Sequence, residues 1–125
     1  MTNPLALIIE DDSQLCEIFS HALKLAEFEP EIAQDGKVAL ERLESTTPAL
    51  VLLDLHLPFV GGDEILRHIR ADERLAKTHV ILATADQFMA ETLQNEVTLI
   101  LLKPISVAQL KMLASRIRPH VGSQA

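Results

Sequence analysis

Four places along the 125-residue chain carry side chains able to handle a phosphoryl group or a hard cation: the run Glu10-Asp11-Asp12, then Asp54, Thr84 and Lys103. Carboxylates gathered at one spot repel, since like charges near 4 Å cost about 4 kcal/mol at an effective dielectric of 20. Either one of them is protonated or a cation sits between them. A few carboxylate oxygens completed by a main-chain carbonyl and water are the usual holders of Mg²⁺, and no His/Cys ligand spacing points to zinc. A carboxylate facing such an ion, with the Thr84 hydroxyl and the Lys103 ammonium opposite, is placed to attack a phosphoryl group and keep it, while metal and lysine neutralise the transferred oxygens.

Residues so far apart in sequence meet only if the fold gathers them. Leu5-Ala6-Leu7-Ile8-Ile9, Ala49–Leu53, His79–Ala83 and Thr98–Leu102 read as strands buried on both faces, and each run stops at one of those polar groups. Pro30–Gln34 is less hydrophobic and reads as an edge strand. Between the strands the apolar spacing turns helical. Leu15, Ile18, Phe19, Ala22, Leu23 and Ala26 form one stripe, capped by Asp12 or Ser13. Val38, Leu40 and Leu43 follow Asp35-Gly36, and Ile65, Leu66 and Ile69 follow Asp63. Phe88, Met89 and Leu93 follow a capping Asp86, and Val107, Leu110, Ala114, Ile117 and Val121 follow a Ser106/Gln109 capping box. Strands alternating with helices imply right-handed crossovers, hence a doubly wound α/β domain with a five-stranded parallel sheet. The C-terminal ends of such strands share the edge where ligands bind. In the order 2-1-3-4-5 the first and third strands are neighbours at about 4.8 Å, which puts Asp11 and Asp54 within reach of one ion. Lys103 starts roughly 14 Å from the first strand, and its flexible stem covers much of that gap.

Composition narrows the function classes. Residues 1–125 are read as one domain with a polar tail at 119–125, long enough to bury roughly two-thirds of its unfolded surface without disulfide or structural metal. Hydrophobic residues make up 48%, charged residues 23% and aromatics only 3%, so the core is aliphatic. A formal net charge of −7 argues against direct nucleic-acid binding and suits a cation or a basic partner surface. The lone Cys16 fits helix packing in a reducing compartment. No apolar run approaches the ~18 residues of a membrane span and no signal peptide precedes the first strand, so the expectation is a cytoplasmic protein without membrane association.

Taken together, Glu10-Asp11-Asp12, the run Leu52-Leu53-Asp54-Leu55-His56-Leu57-Pro58 with Gly61-Gly62 after it, Thr84-Ala85 and Lys103-Pro104 resemble the receiver domain of bacterial two-component response regulators. The resemblance covers essentially the whole chain and implies a flavodoxin-like fold. It implies further that Asp54 takes a phosphoryl group from a histidine kinase or a phosphotransfer protein and passes the signal to an effector. By motif, Glu10, Asp11 and Asp54 hold Mg²⁺ together with the backbone carbonyl of His56. Thr84 follows the phosphoryl oxygen and Lys103 pairs with it. Asp12 is either a group behind the ligands or a helix cap, Pro104 shapes the loop after Lys103, and the His56 side chain is expected to lean over the acids, where it could alter the lifetime of the acyl phosphate.

The chain also departs from the family pattern. Ile100 stands three positions before Lys103, where receivers commonly carry an aromatic or His, so the usual coupling of the threonine to a buried ring is absent. The stretch from Thr84 to Lys103 is about three residues short, which puts the surface of the fourth helix in question as a homodimer face. Gly61 replaces a frequent aspartate, an exchange expected to be mild. These departures motivate the alternative of a degenerate receiver acting as a phosphorylation-independent scaffold. A Mg²⁺-dependent phosphohydrolase is disfavoured because His56 fills the slot two residues after Asp54 where such enzymes place a second acid. His21, His68, His79 and His120 show no ligand spacing and are given no role.

Overall fold

The structure, a computed structural model, describes residues 3–119. Its strands are β1 (Leu5–Ile9), β2 (Glu29–Ala33), β3 (Leu50–Leu53), β4 (His79–Thr84) and β5 (Leu99–Leu102). They form one parallel sheet, as the alternation of elements predicts, in the order β2-β1-β3-β4-β5 considered for the family-like fold. The helices are α1 (Ser13–Leu25), α2 (Gly36–Ser45), α3 (Gly62–Ala71), α4 (Gln87–Thr92) and α5 (Val107–Ile117). This is the flavodoxin-like arrangement.

The apolar strand runs explain the two layers. Along β1, Ala6 and Ile8 face the layer of α1 and α5, where they meet Phe19, Ala22, Leu23, Leu110 and Ala114. Leu7 and Ile9 face the other way, into the layer of α2 and α3 with Ala39, Leu43, Ile65, Leu66 and Ile69. Period-two alternation with both faces apolar leaves no solvent side for β1, β3 or β4. Register aligns the strand ends: Ile9 pairs with Leu53, Leu53 with Leu82, and Thr84 with Leu102. The residues that follow therefore lie along one edge.

Several boundaries and faces differ from the sequence reading. β2 begins one residue early and β5 one residue late, and α3 starts at Gly62 with Gly61 as its cap. Ile18, expected inside, is 39% exposed at the border of the α1 stripe. Phe88, also expected inside, is 80% exposed. At 100° per residue Met89, Ala90 and Leu93 share one face of α4 and Phe88 falls on the opposite one, so the buried place goes to Ala90. Val121 and the polar tail beyond Pro119 lie outside the described residues.

The shortened segment has a structural counterpart. α4 has 6 residues against 10 in α3, and a 3-10 turn at Gln94–Glu96 leads directly into β5. Arg70 at the end of α3 ties that turn down, its Nε donating to the Glu96 carbonyl at 2.8 Å and its Nη1 to the Thr78 carbonyl at 3.1 Å.

Candidate functional site: an acid cluster at the carboxyl edge of the sheet

Each site residue is held by the sheet itself. The Asp54 N–H donates to the Ile9 carbonyl at 3.0 Å, the Glu10 N–H to Ala33 at 3.1 Å and the Lys103 N–H to Thr84 at 2.9 Å, so the ladder continues into the site. Glu10 and Asp54 are buried, at 2% and 6% exposure, while Asp11 is exposed. One carboxylate oxygen from each of the three lies within 4.8 Å of the others. The Lys103 ammonium reaches in from β5, 2.8 Å from Glu10 Oε1 and 3.5 Å from Asp54 Oδ2. Three carboxylates against one ammonium leave the cluster short of positive charge. An all-carboxylate donor set with one open, solvent-facing member fits a hard divalent cation.

Burial pushes the Glu10 carboxyl above its ordinary range, even though the Lys103 hydrogen bond and the Asp12 N–H pull it down. For Lys103 burial alone would lower the value, but the Glu10 hydrogen bond and the Asp54 and Glu10 charges outweigh it and raise the value above 10.5. Gly62 lets α3 start against the backbone that follows β3, since a Cβ there would strike the Asp54 carbonyl and the Leu55 Cα. Gly61 caps α3 without a side-chain hydrogen bond, and glycine in place of aspartate at such a cap costs only about a few tenths of a kcal/mol.

The chain matches the response regulator receiver domain model over residues 6–115. It belongs to that family. This receiver domain is 32% identical to the probable methanogenesis regulatory protein FilR2 of Methanothrix harundinacea, an alignment covering 91% of this chain and 81% of FilR2. It is 39% identical over 79 residues to the response regulator ArlR of Staphylococcus saprophyticus, which covers 63% of this chain but only 34% of ArlR. Among solved structures, chemotaxis response regulator CheY4 of Vibrio cholerae superposes with a TM-score of 0.84 over 93% of this chain and 99% of that one, at 23% identity, a likeness of fold.

Within this receiver domain Glu10, Asp11, Asp54 and Lys103 converge as the order of elements predicts. Thr84 is fully buried at the adjacent strand end and its Oγ1 accepts the Asp86 N–H at 3.1 Å. Asp12 is the α1 cap, its Oδ1 accepting from Gln14 and Leu15 N–H groups at 2.9 and 3.2 Å. Pro104 follows Lys103 through a cis peptide bond. The His56 N–H donates to Asp54 Oδ1 at 3.3 Å, while among the described residues its ring makes no hydrogen bond to Glu10, Asp11 or Asp54. It pairs instead with Asp86, Nε2 to Oδ2 at 3.1 Å, because β3 and β4 are neighbours and both residues lie just past their strand ends.

Two contributors escaped the sequence reading. Asp86, read only as a cap, holds the Met89 N–H, the His56 ring and, through its own N–H, Thr84. Its position two residues after Thr84, matching His56 two residues after Asp54 on the neighbouring strand, was the available signal. The hydrogen bond from the Met89 N–H and the pairing with His56 hold its carboxyl below the ordinary value. Cys16, read as packing, also donates its S–H to the Glu10 carbonyl at 3.1 Å, supporting the backbone under the cluster. Nothing in its spacing marks that contact. A hollow of about 460 Å³ opens beside Asp11 and His56, whereas a larger one, about 760 Å³, lies at the opposite edge around Arg70, Lys77 and His79. The acid site is a shallow surface rather than a deep pocket.

Proposed function

We propose that Asp54 is the phosphoacceptor of a two-component phosphorelay. The observation that carries this reading is a buried Asp54 carboxylate within ligand distance of Glu10 and Asp11 and 3.5 Å from the Lys103 ammonium. An Asp54 carboxylate oxygen attacks the phosphorus of a phosphohistidine on a histidine kinase or phosphotransfer protein. The P–O bond forms as the P–N bond breaks, and its electron pair returns to the imidazole. Mg²⁺, held by Glu10, Asp11, Asp54 and the His56 carbonyl, would supply charge neutralisation for the phosphoryl oxygens. Lys103 adds a second positive charge beside Asp54, and the Thr84 hydroxyl has its own hydrogen free to donate to a phosphoryl oxygen. The added phosphoryl charge then biases Thr84 and, through the Asp86 N–H, the start of α4, so the domain acts as a switch whose only chemistry is its own phosphorylation and dephosphorylation.

Incubation with acetyl phosphate and Mg²⁺, read by intact mass, tests the assignment. A phosphoryl adduct on the wild type that disappears in Asp54→Asn is the expected result; no adduct on the wild type overturns it. The second reading, a scaffold indifferent to phosphate, is favoured by Ile100 packed against the core where a ring would otherwise stand and by the short α4. Beryllofluoride that leaves the amide spectrum around α4 unchanged would select it. The aligned residues cover about a third of ArlR, and an effector protein that receives the signal belongs to the same proposal. The chain's net charge of −7 disfavours direct contact with a nucleic-acid backbone. Among the described residues no helix is long and apolar enough to cross a membrane, and a cytoplasmic site of action belongs to the same proposal.

A further inference from the structure

The edge of the sheet opposite the acid cluster carries the reverse charge. Residues 67–79, running from the second half of α3 into β4, hold four of the chain's 11 Lys and Arg against two of its 18 Asp and Glu. Arg67 and Arg74 are paired with Asp63 and Asp72. Arg70 and Lys77 have no carboxylate within ion-pair reach among the described residues. Both line the hollow of about 760 Å³ between the starts of β4 and β5, together with His79, Asn95, Glu96 and Val97. Glu96 is the one acid in that lining, and its carboxylate pairs with neither cation.

Two of the donors are already oriented by the fold. The Arg70 guanidinium is fixed by the Glu96 and Thr78 carbonyls, which take Nε and Nη1, while Nη2 has no protein partner among the described residues. A planar cation ordered in advance can meet an oxyanion with little further loss of side-chain freedom. The His79 ring lies with Nδ1 3.2 Å from Thr98 Oγ1. That oxygen already accepts the Val80 N–H at 3.2 Å, so its own hydrogen can go to Nδ1, and Nε2 then carries the ring proton as a donor.

We propose that this hollow binds a phosphate monoester with an organic body, the phosphate being held by Arg70 Nη2, Lys77 Nζ and His79 Nε2. Two full cations match the charge of about −1.5 to −2 that such a group carries at pH 7, where a single carboxylate would leave one cation unmatched. The volume falls in the range of about 300–1,000 Å³ typical of small-molecule sites, so it has room for a body beside the phosphate, against Val97 and Asn95. The hollow and Asp54 stand at opposite ends of the strands, so binding here does not depend on the phosphoacceptor reading, whose own test is the acetyl phosphate adduct.

The experiment follows amide chemical shifts of the whole domain, without divalent ions and at low ionic strength, during titration with adenosine 5′-monophosphate, adenosine or inorganic phosphate. The monophosphate should perturb 70, 76–79 and 95–98 and slow amide exchange at 94–98, because Arg70 also holds that turn. Its affinity should be about fivefold weaker in Lys77→Gln and about tenfold weaker in Arg70→Met, and should fall as salt is added. Lys77 is exposed and makes no hydrogen bond among the described residues, so Lys77→Gln should keep the wild-type melting temperature, which excludes misfolding as the cause. No shifts with the monophosphate, or unaltered affinity in both variants, would overturn the proposal. Equal binding of adenosine would remove the role of the phosphate, and equal binding of inorganic phosphate would remove the organic body; either result overturns the ligand class. Shifts confined to 10–12 and 54–56 would overturn the location.

Discussion

The acid side of the domain and its β4–α4–β5 side are built differently. Glu10 and Asp54 follow β1 and β3, whose side chains are almost all buried and are covered by helices of 10 to 13 residues. Across the sheet, β5 buries only Leu101 fully, α4 has 6 residues of which only Ala90 is buried, and Phe88 faces solvent. Charge is thus gathered on packed strands, and beside it stands a segment, α4 to β5, with few buried residues. Such a segment opens at lower free energy than the rest. Where a family aromatic would sit, Ile100 packs into the α2–α4 layer, so the link from Thr84 to α4 runs through Asp86 instead.

Lys103 tests how far the two sides depend on each other, since it stands on β5 and serves the acids of β1 and β3. Replacing it with Met leaves Glu10 and Asp54 without their cation, and denaturant unfolding without divalent ions should show a loss of about 3 kcal/mol. Saturating Mg²⁺ should recover part of it. The lysine value is raised in the folded state, so its contribution is complete below 10.5 and is lost as pH rises through the folded value. The gap between wild type and variant should close only in strongly alkaline buffer.

A smaller effect probes the packed side alone. Burial, with the Glu10 charge second, pushes the Cys16 thiol up from 9.0 to about 11. Between those values the unfolded thiol ionises while the folded one stays neutral, so wild-type stability should fall by on the order of 2 kcal/mol as pH rises. Cys16→Ala should lack that component of the pH profile, and a variant profile as steep as the wild type would remove the assignment. On the other side, Arg70→Met withdraws the hydrogen bond to the Glu96 carbonyl that holds the Gln94–Glu96 turn, together with the one to the Thr78 carbonyl, for about 1 kcal/mol. Faster amide exchange at 94–98 with an unaltered acetyl phosphate adduct would keep the two sides distinct. Slower phosphorylation would show them coupled.

The smallest change should come from Asp86→Ser. Serine keeps the α4 cap and the N–H to Thr84 but cannot reach His56, and an exposed pair of this kind adds little to global stability. Exchange in the first turn of α4 should rise with no shift in melting temperature. An equal rise throughout β1 and β3 would contradict the division of the molecule described here.

Much of this was legible in residue order. Apolar runs that end in Glu10, Asp54, Thr84 and Lys103 identify buried parallel strands with a shared polar edge, because a strand covered on both faces can place a charge only at its end. Ile18 was misplaced because a hydrophobic residue at the border of a helical stripe has no sequence signal of its own and the neighbouring layer decides, whereas Phe88 was misplaced because the six residues of α4 are too few for their apolar period to mark the inward face. The same holds for His56, whose ring had the acids and Asp86 within reach.

By itself, then, the chain determined its alternating strands and helices, its parallel sheet and its edge of polar strand ends, since these follow from hydrophobic period and from right-handed crossover. Only the folded molecule decided that Lys103 closes on Glu10, that His56 turns to Asp86, that Cys16 supports the Glu10 backbone and that Phe59 and Phe88 remain uncovered. Those outcomes depend on distances of a few ångströms between segments up to 93 residues apart, which sequence spacing alone does not fix.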